Sequence, residues 1–187
     1  GSAGELNLLL IALLNKAELN AIPLLTSTRE HGKMFELYPF ISQFNHVFAA
    51  VIIGDQAIVM DLGNEDRPAG VISVNSLNKR ALVVDPASPV WVDVLATTSK
   101  DVYFALMTVD ENGVISGTMK MSQDGYSAVN YRGALHNKSV GSIWQKEFDS
   151  TFPGCEISEL SLEGEEDVYG KLKQEVAFVL PSAGQVA

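Results

Sequence analysis

Two pairs of β-prone runs, each closed over a glycine-bearing turn, constrain this chain more than any other feature. Residues 47–53 and 56–60 flank Gly54-Asp55, and residues 102–109 and 114–121 flank Asp110-Glu111-Asn112-Gly113. Turns of this kind between such runs give antiparallel hairpins, with Asp55 a turn residue at the first tip. The two hairpins are separated by a stretch punctuated by Pro86 and Pro89. A domain boundary is expected there, giving units 1–85 and 86–187. At 187 residues the chain is long for one compact domain and comfortable for two small ones.

The remaining segments fall around these hairpins. Leu6, Leu9, Leu10, Leu13, Leu14 and Ala17 follow helical spacing, and Leu8, Ile11 and Ala12 make the other face apolar as well, which predicts a buried helix. Ser2-Ala3-Gly4-Glu5 has the form of a capping box, so the helix should start near Ala3. Residues 21–28 and 80–84 read as short extended runs, 126–135 as a helix, and 157–162 and 172–180 as two later strands. The acidic Glu163-Gly164-Glu165-Glu166-Asp167 between those strands reads as a solvated loop. The expected class is α+β: a buried helix on an antiparallel sheet, followed by a β-sandwich-like domain with a short helix.

Composition narrows the function classes. Hydrophobic residues make up 47% and charged residues 19%, the profile of a folded protein. The net charge of −10 disfavours phosphate contacts, so nucleic acid is not an expected partner. The longest apolar run, residues 8–14, is too short for a membrane span and lacks the preceding basic segment of a secretory signal. Cys155 is the single cysteine, which rules out an intrachain disulfide and a zinc site built from spaced cysteine pairs. His31, His46 and His136 show no zinc-protease spacing, and neither a metal nor a cofactor is expected.

One pair of residues can carry chemistry. A two-residue turn at Gly54-Asp55 sets 53 against 56 and therefore His46 against position 63. Asp61 lies two residues from 63, on the same face, at a diagonal separation of roughly 7–8 Å. A carboxylate that orients a histidine is the base half of a nucleophilic triad, although a lone strand-edge histidine is more often structural. The favourable place for the nucleophile is the N-terminus of the helix, and that position holds Ala3, beside Ser2. His31 reads as a loop histidine that could line a groove, and His136 as a C-terminal helix residue. Asp110-Glu111-Asn112-Gly113 lacks the further ligands of a calcium loop, and Trp91 and Trp144 read as core anchors.

The order of helix, extended run, His-bearing strand and Asp-bearing strand resembles the transglutaminase-like core of papain-type cysteine enzymes. Residues 24–32 (Leu-Leu-Thr-Ser-Thr-Arg-Glu-His-Gly), Tyr38-Pro39, Phe44-Asn45-His46 and Met60-Asp61 resemble bacterial transglutaminase-like proteins, known especially from Bacteroidetes, with uncharacterised flanking domains. Asp110 to Gly113, Gly117 and Gly125-Tyr126-Ser127-Ala128 look like the β-rich domain that follows that core. The resemblance implies a partial core over 1–85, with His46 as the triad histidine, Asp61 as the triad acid and Ala3 in the nucleophile position. It implies a fragment of a longer, exported (periplasmic or secreted) protein, inactive as an enzyme, that binds a protein or peptide, or a glycan. The rival is an acyl-transfer enzyme or peptidase using Ser2, or a cysteine absent from this chain, with His46 as base and Asp61 as orienter. A third reading gives the function to the C-terminal domain, through a sheet edge or an aromatic patch.

Overall fold

The computed structural model describes residues 2–38, 40–54, 56–85 and 89–181; Asp55, read from the sequence as a turn residue, Pro39 and Pro86 lie outside them. The chain is α+β and forms two compact units, Gly1–Thr97 and Thr98–Ala187. The division falls later than the expected 85/86 boundary. Residues beyond Pro89 return to the first sheet as a strand, and Val94 N–H then donates to the Lys79 carbonyl at 2.7 Å.

The first unit comprises α1 (Ala3–Lys16), β1 (Ala21–Thr26), β2 (His46–Ile53), β3 (Gln56–Met60), β4 (Arg80–Val83) and β5 (Trp91–Asp93). The strands form one antiparallel sheet in the order β3-β2-β1-β4-β5. The hairpin register is the expected one, from Ile53 opposite Gln56 to Ala49 opposite Met60. The capping box forms as read: Glu5 N–H donates to Ser2 Oγ at 3.3 Å and Ser2 N–H to Glu5 Oε2 at 2.7 Å. At the other end Asn15 clamps β1, its amide donating to the Ala21 carbonyl and its oxygen accepting from Ala21 N–H, both at 2.9 Å.

Helix α1 departs from its expected burial. Only Asn7 and Ile11 are buried, with Leu10 and Leu14 packed beside Ile11 on Ala21, Ala49, Val51, Ile58 and Met60. Leu6, Leu8, Leu9 and Leu13 are 38–56% exposed. A helix lying on one sheet buries a single stripe, so an apolar second face stays in solvent whatever its composition.

The second unit comprises β6 (Asp101–Val109), β7 (Ile115–Gln123), α2 (Gly125–Leu135), α3 (Val140–Thr151), β8 (Glu156–Glu163) and β9 (Leu172–Leu180). Its described strands make one antiparallel sheet, β6-β7-β9-β8. The second layer of the expected sandwich-like unit is helical, with two helices among the described residues where one short helix was expected. The unpredicted one, α3, is capped by Ser139 Oγ accepting from Ser142 N–H, and buries Trp144 and Phe148 four residues apart. These pack with Met121, Cys155, Val176 and Phe178. The Asp110 turn closes β6 onto β7: its Oδ1 accepts from Asn112 and Val114 N–H, while Gly113 takes a positive φ of 77°. Gly117 admits no side chain, since a Cβ there would lie 2.4 Å from the Leu106 carbonyl oxygen.

The acidic 163–167 loop is solvated on its outer side and anchored from beneath. Buried Arg132 of α2 donates to the carbonyls of Gly164, Glu165, Asp167 and Gly170 at 2.7–3.2 Å.

Candidate functional site

His46 opens β2, opposite Thr26 of β1. Its predecessor Asn45 fixes the entry to the strand: the Asn45 oxygen accepts from Thr28 N–H at 2.8 Å, and its amide donates to Thr28 Oγ1 at 2.9 Å. Asp61 follows the last residue of β3 and is buried. The two side chains meet, with His46 Nε2 2.8 Å from Asp61 Oδ1. The imidazole is further held edge-on to Phe48, ring centroids 5.1 Å apart.

Every oxygen of the Asp61 carboxylate is engaged. Oδ1 also accepts from Asn7 Nδ2 at 3.2 Å, while Oδ2 accepts from Arg67 at 2.9 Å and from Ser73 N–H at 3.2 Å. Burial alone would push this carboxyl up, but the hydrogen bond and charge of His46, with the Asn7 and Ser73 bonds, hold it below the usual carboxylate range. The carboxylate therefore stays ionised, and the His46 nitrogen facing it carries a proton. In neutral imidazole this leaves Nδ1 as the basic nitrogen. The contact between the two side chains is the one read from the hairpin register.

Helix α1 is locked to this pair through a residue that motif reading passed over. Asn7, fully buried, donates to the Val47 carbonyl at 2.8 Å as well as to Asp61, and its oxygen accepts from Leu62 N–H at 2.7 Å. Its signal was present, as the one polar residue between Leu6 and Leu8 in the apolar stretch. Arg67 and Ser73 had no such signal, because both reach Asp61 from irregular segments.

At the start of α1, Ala3 lies against the segment after Asp61: a Cβ built on Gly63 would be 3.4 Å from the Ala3 methyl. One on Gly4 would be 3.6 Å from Val47, the neighbour of His46. The Ser2 hydroxyl caps the helix, accepting from Glu5 N–H. His31 is not brought to the site; its Nε2 meets the Ser42 carbonyl at 3.0 Å and ties two loops together. His136 is the C-cap residue of α2. Trp144 anchors the second core, donating to Gln174 Oε1 at 2.9 Å, and half-buried Trp91 packs on Phe44. Cys155 lies in that same second core, where burial and the nearby Asp149 and Glu156 push its thiol up.

Among the described residues no group of three or more His, Cys, Asp or Glu side chains could hold a metal, and no helix is long and apolar enough to cross a membrane. No protein-family model, curated protein or solved structure matches the chain.

The depressed Asp61 carboxyl sets a sign for acid unfolding. Its contribution to stability is fully present above the ordinary carboxylate value, about pH 4. It is lost as pH falls through the lower native value. Asp61→Asn should therefore be less stable than wild type at pH 7, and the gap should close below about pH 4. Urea unfolding of the first unit, followed by the amide signals of β2 at a series of pH values, reads this directly. A gap constant down to pH 2 would show that Asp61 is not the linked group.

Proposed function

We propose that the first unit is a transglutaminase-like module that keeps its histidine–carboxylate pair and has lost its nucleophile, serving as a catalytically silent binding or structural part of a larger exported protein. The observation that carries this reading is the start of α1, where a methyl group, Ala3, packs against the segment after Asp61 while the adjacent hydroxyl caps the helix. The N-terminus of a helix favours a thiolate, and a histidine oriented by an ionised carboxylate would take its proton. An alanine there offers no nucleophile, so the His46–Asp61 bond serves as a buried tie between β2 and β3. The expected partner is a protein or peptide.

The acyl-transfer or peptidase alternative with Ser2 needs that hydroxyl to leave the cap, at a cost of about 1 kcal/mol, and to reach His46.

Ala3→Cys tests the triad ancestry. The introduced thiol should be alkylated by iodoacetamide at pH 6.5 about tenfold faster than an ordinary thiol of pKa near 8.5. His46→Ala in that background should remove the acceleration. Cys155 gives little background, being buried with its thiol pushed up. Site-resolved mass spectrometry reads both. A rate at the introduced thiol that is ordinary and indifferent to His46 would end the proposal.

A further inference from the structure

The two edges of the second sheet are built differently. The β8 edge carries the protections that keep sheets from pairing with other chains: a register shift between Ser158 and Leu160, Glu159 at a positive φ of 40°, and Glu156 and Glu163 at its two ends. In the first unit the edges are protected by shortness, with five residues in β3 and three in β5. The β6 edge has none of this. It runs nine residues in unbroken register with β7, about 30 Å at 3.4 Å per residue. From Val102 to Val109 it contains no charge, proline or bulge.

Both faces of β6 are apolar and open. Val102, Tyr103, Phe104, Leu106, Met107 and Val109 are 46–67% exposed. On the helix side, Tyr103 and Ala105 line a cavity of about 460 Å³ with Tyr131, Phe148 and Phe152. On the other side Val102 and Phe104 border a cavity of about 390 Å³.

We propose that β6 is a pairing edge, and that two copies of this chain join antiparallel through it into one continuous eight-stranded sheet. A strand with apolar side chains on both faces and a single carboxylate, Asp101, at one end is self-complementary. Pairing centred on Ala105 sets Phe104 against Leu106 on one face and Tyr103 against Met107 on the other, with no like charges opposed. It also places a second copy's Met107 at the mouth of the cavity beside Tyr103. At roughly 150–250 Å² for a large side chain, the six exposed residues offer on the order of 600 Å², close to the roughly 800 Å² per partner of a stable interface. A chain of net charge −10 associates best where its acids are fewest, and that is the β6 edge, with Asp101 alone, rather than the β8 edge with Glu156, Glu159 and Glu163. The inference concerns the second unit and does not depend on the reading of His46 and Asp61.

Sedimentation equilibrium of the full chain tests it. At about 100 µM, a concentration well above the micromolar dissociation constants of modest interfaces, wild type should sediment at twice its 20.2 kDa mass. Leu106→Lys, at a position 67% exposed, should keep the circular dichroism and melting of wild type and weaken association at least tenfold. Phe104→Lys should do the same, and Leu160→Lys on β8 should leave the dimer intact. A wild-type monomer at 100 µM overturns the proposal, including the case where an unrelated extended peptide binds β6 instead. So does a dimer indifferent to both β6 substitutions.

Discussion

Arg132→Leu should lower the stability of the second unit by about 3 kcal/mol, at the upper end of what losing hydrogen bonds to one charged group costs. The guanidinium is buried within α2 and gathers four carbonyls, those of Gly164, Glu165, Asp167 and Gly170. Replacing a buried ion pair with apolar groups is often neutral, because both charges leave together. Here the acceptors are backbone carbonyls, which stay behind unpaired. Arg132→Lys keeps the charge but cannot fork across four acceptors, and should recover less than half of the loss. The chain has two tryptophans, Trp91 in the first unit and Trp144 in the second. In a Trp91→Phe background, urea unfolding read by fluorescence therefore reports the second unit alone. A loss under about 1 kcal/mol, within the range of an ordinary hydrogen bond, would show that water replaces the guanidinium.

Asn7→Ala should cost the first unit a comparable amount, about 3 kcal/mol, through a different mechanism. Its amide and oxygen satisfy the Val47 carbonyl, Asp61 Oδ1 and Leu62 N–H, three groups on two strand ends that face α1. Truncation takes a partner from each: Val47 and Asp61 are buried, and the Leu62 N–H loses its acceptor in a partly buried contact. The Leu62 amide gives the local readout. Its hydrogen exchange should accelerate on the order of a hundredfold, as about 3 kcal/mol implies at 1.4 kcal/mol per tenfold. Asn7→Asp separates geometry from charge. It retains the acceptor for Leu62 and sets a second carboxylate beside Asp61, so one of the two must hold a proton. That raised pKa makes the variant lose stability as pH rises, opposite in sign to Asp61 in the wild type. Exchange at Leu62 unchanged by Asn7→Ala would mean that α1 is not locked to the strand ends through this side chain.

The exposed leucines of α1 and the open edge β6 share a cause. Apolar content states what a segment can bury, and the number of layers around it states what it does bury. Leu8, Leu9 and Leu13 belong to a helix covered on one side, as Val102, Phe104 and Leu106 belong to a strand paired on one side. The exposed face of α1 carries no argument for its occupant, whereas the contrast between the β6 and β8 edges does.

What the sequence determined by itself was local or at most hairpin-ranged. The Ser2–Glu5 cap, the Gly54 hairpin register that brings Asp61 to His46, the Asp110 turn and the span of β9 follow from turn chemistry and alternation, which act over a few residues. Helix α3 is local in the same sense, carried by the Ser139 cap and the Trp144–Phe148 spacing. The tertiary structure alone decided which stripe of α1 is buried and that β5 returns to the first sheet past the prolines. It alone brought Asn7, Arg67 and Ser73 to Asp61, and set Arg132 beneath the acidic loop. These depend on segments up to 54 residues apart meeting at one point, and a buried polar group takes whichever partner the packed backbone brings within reach, a choice that no local pattern encodes.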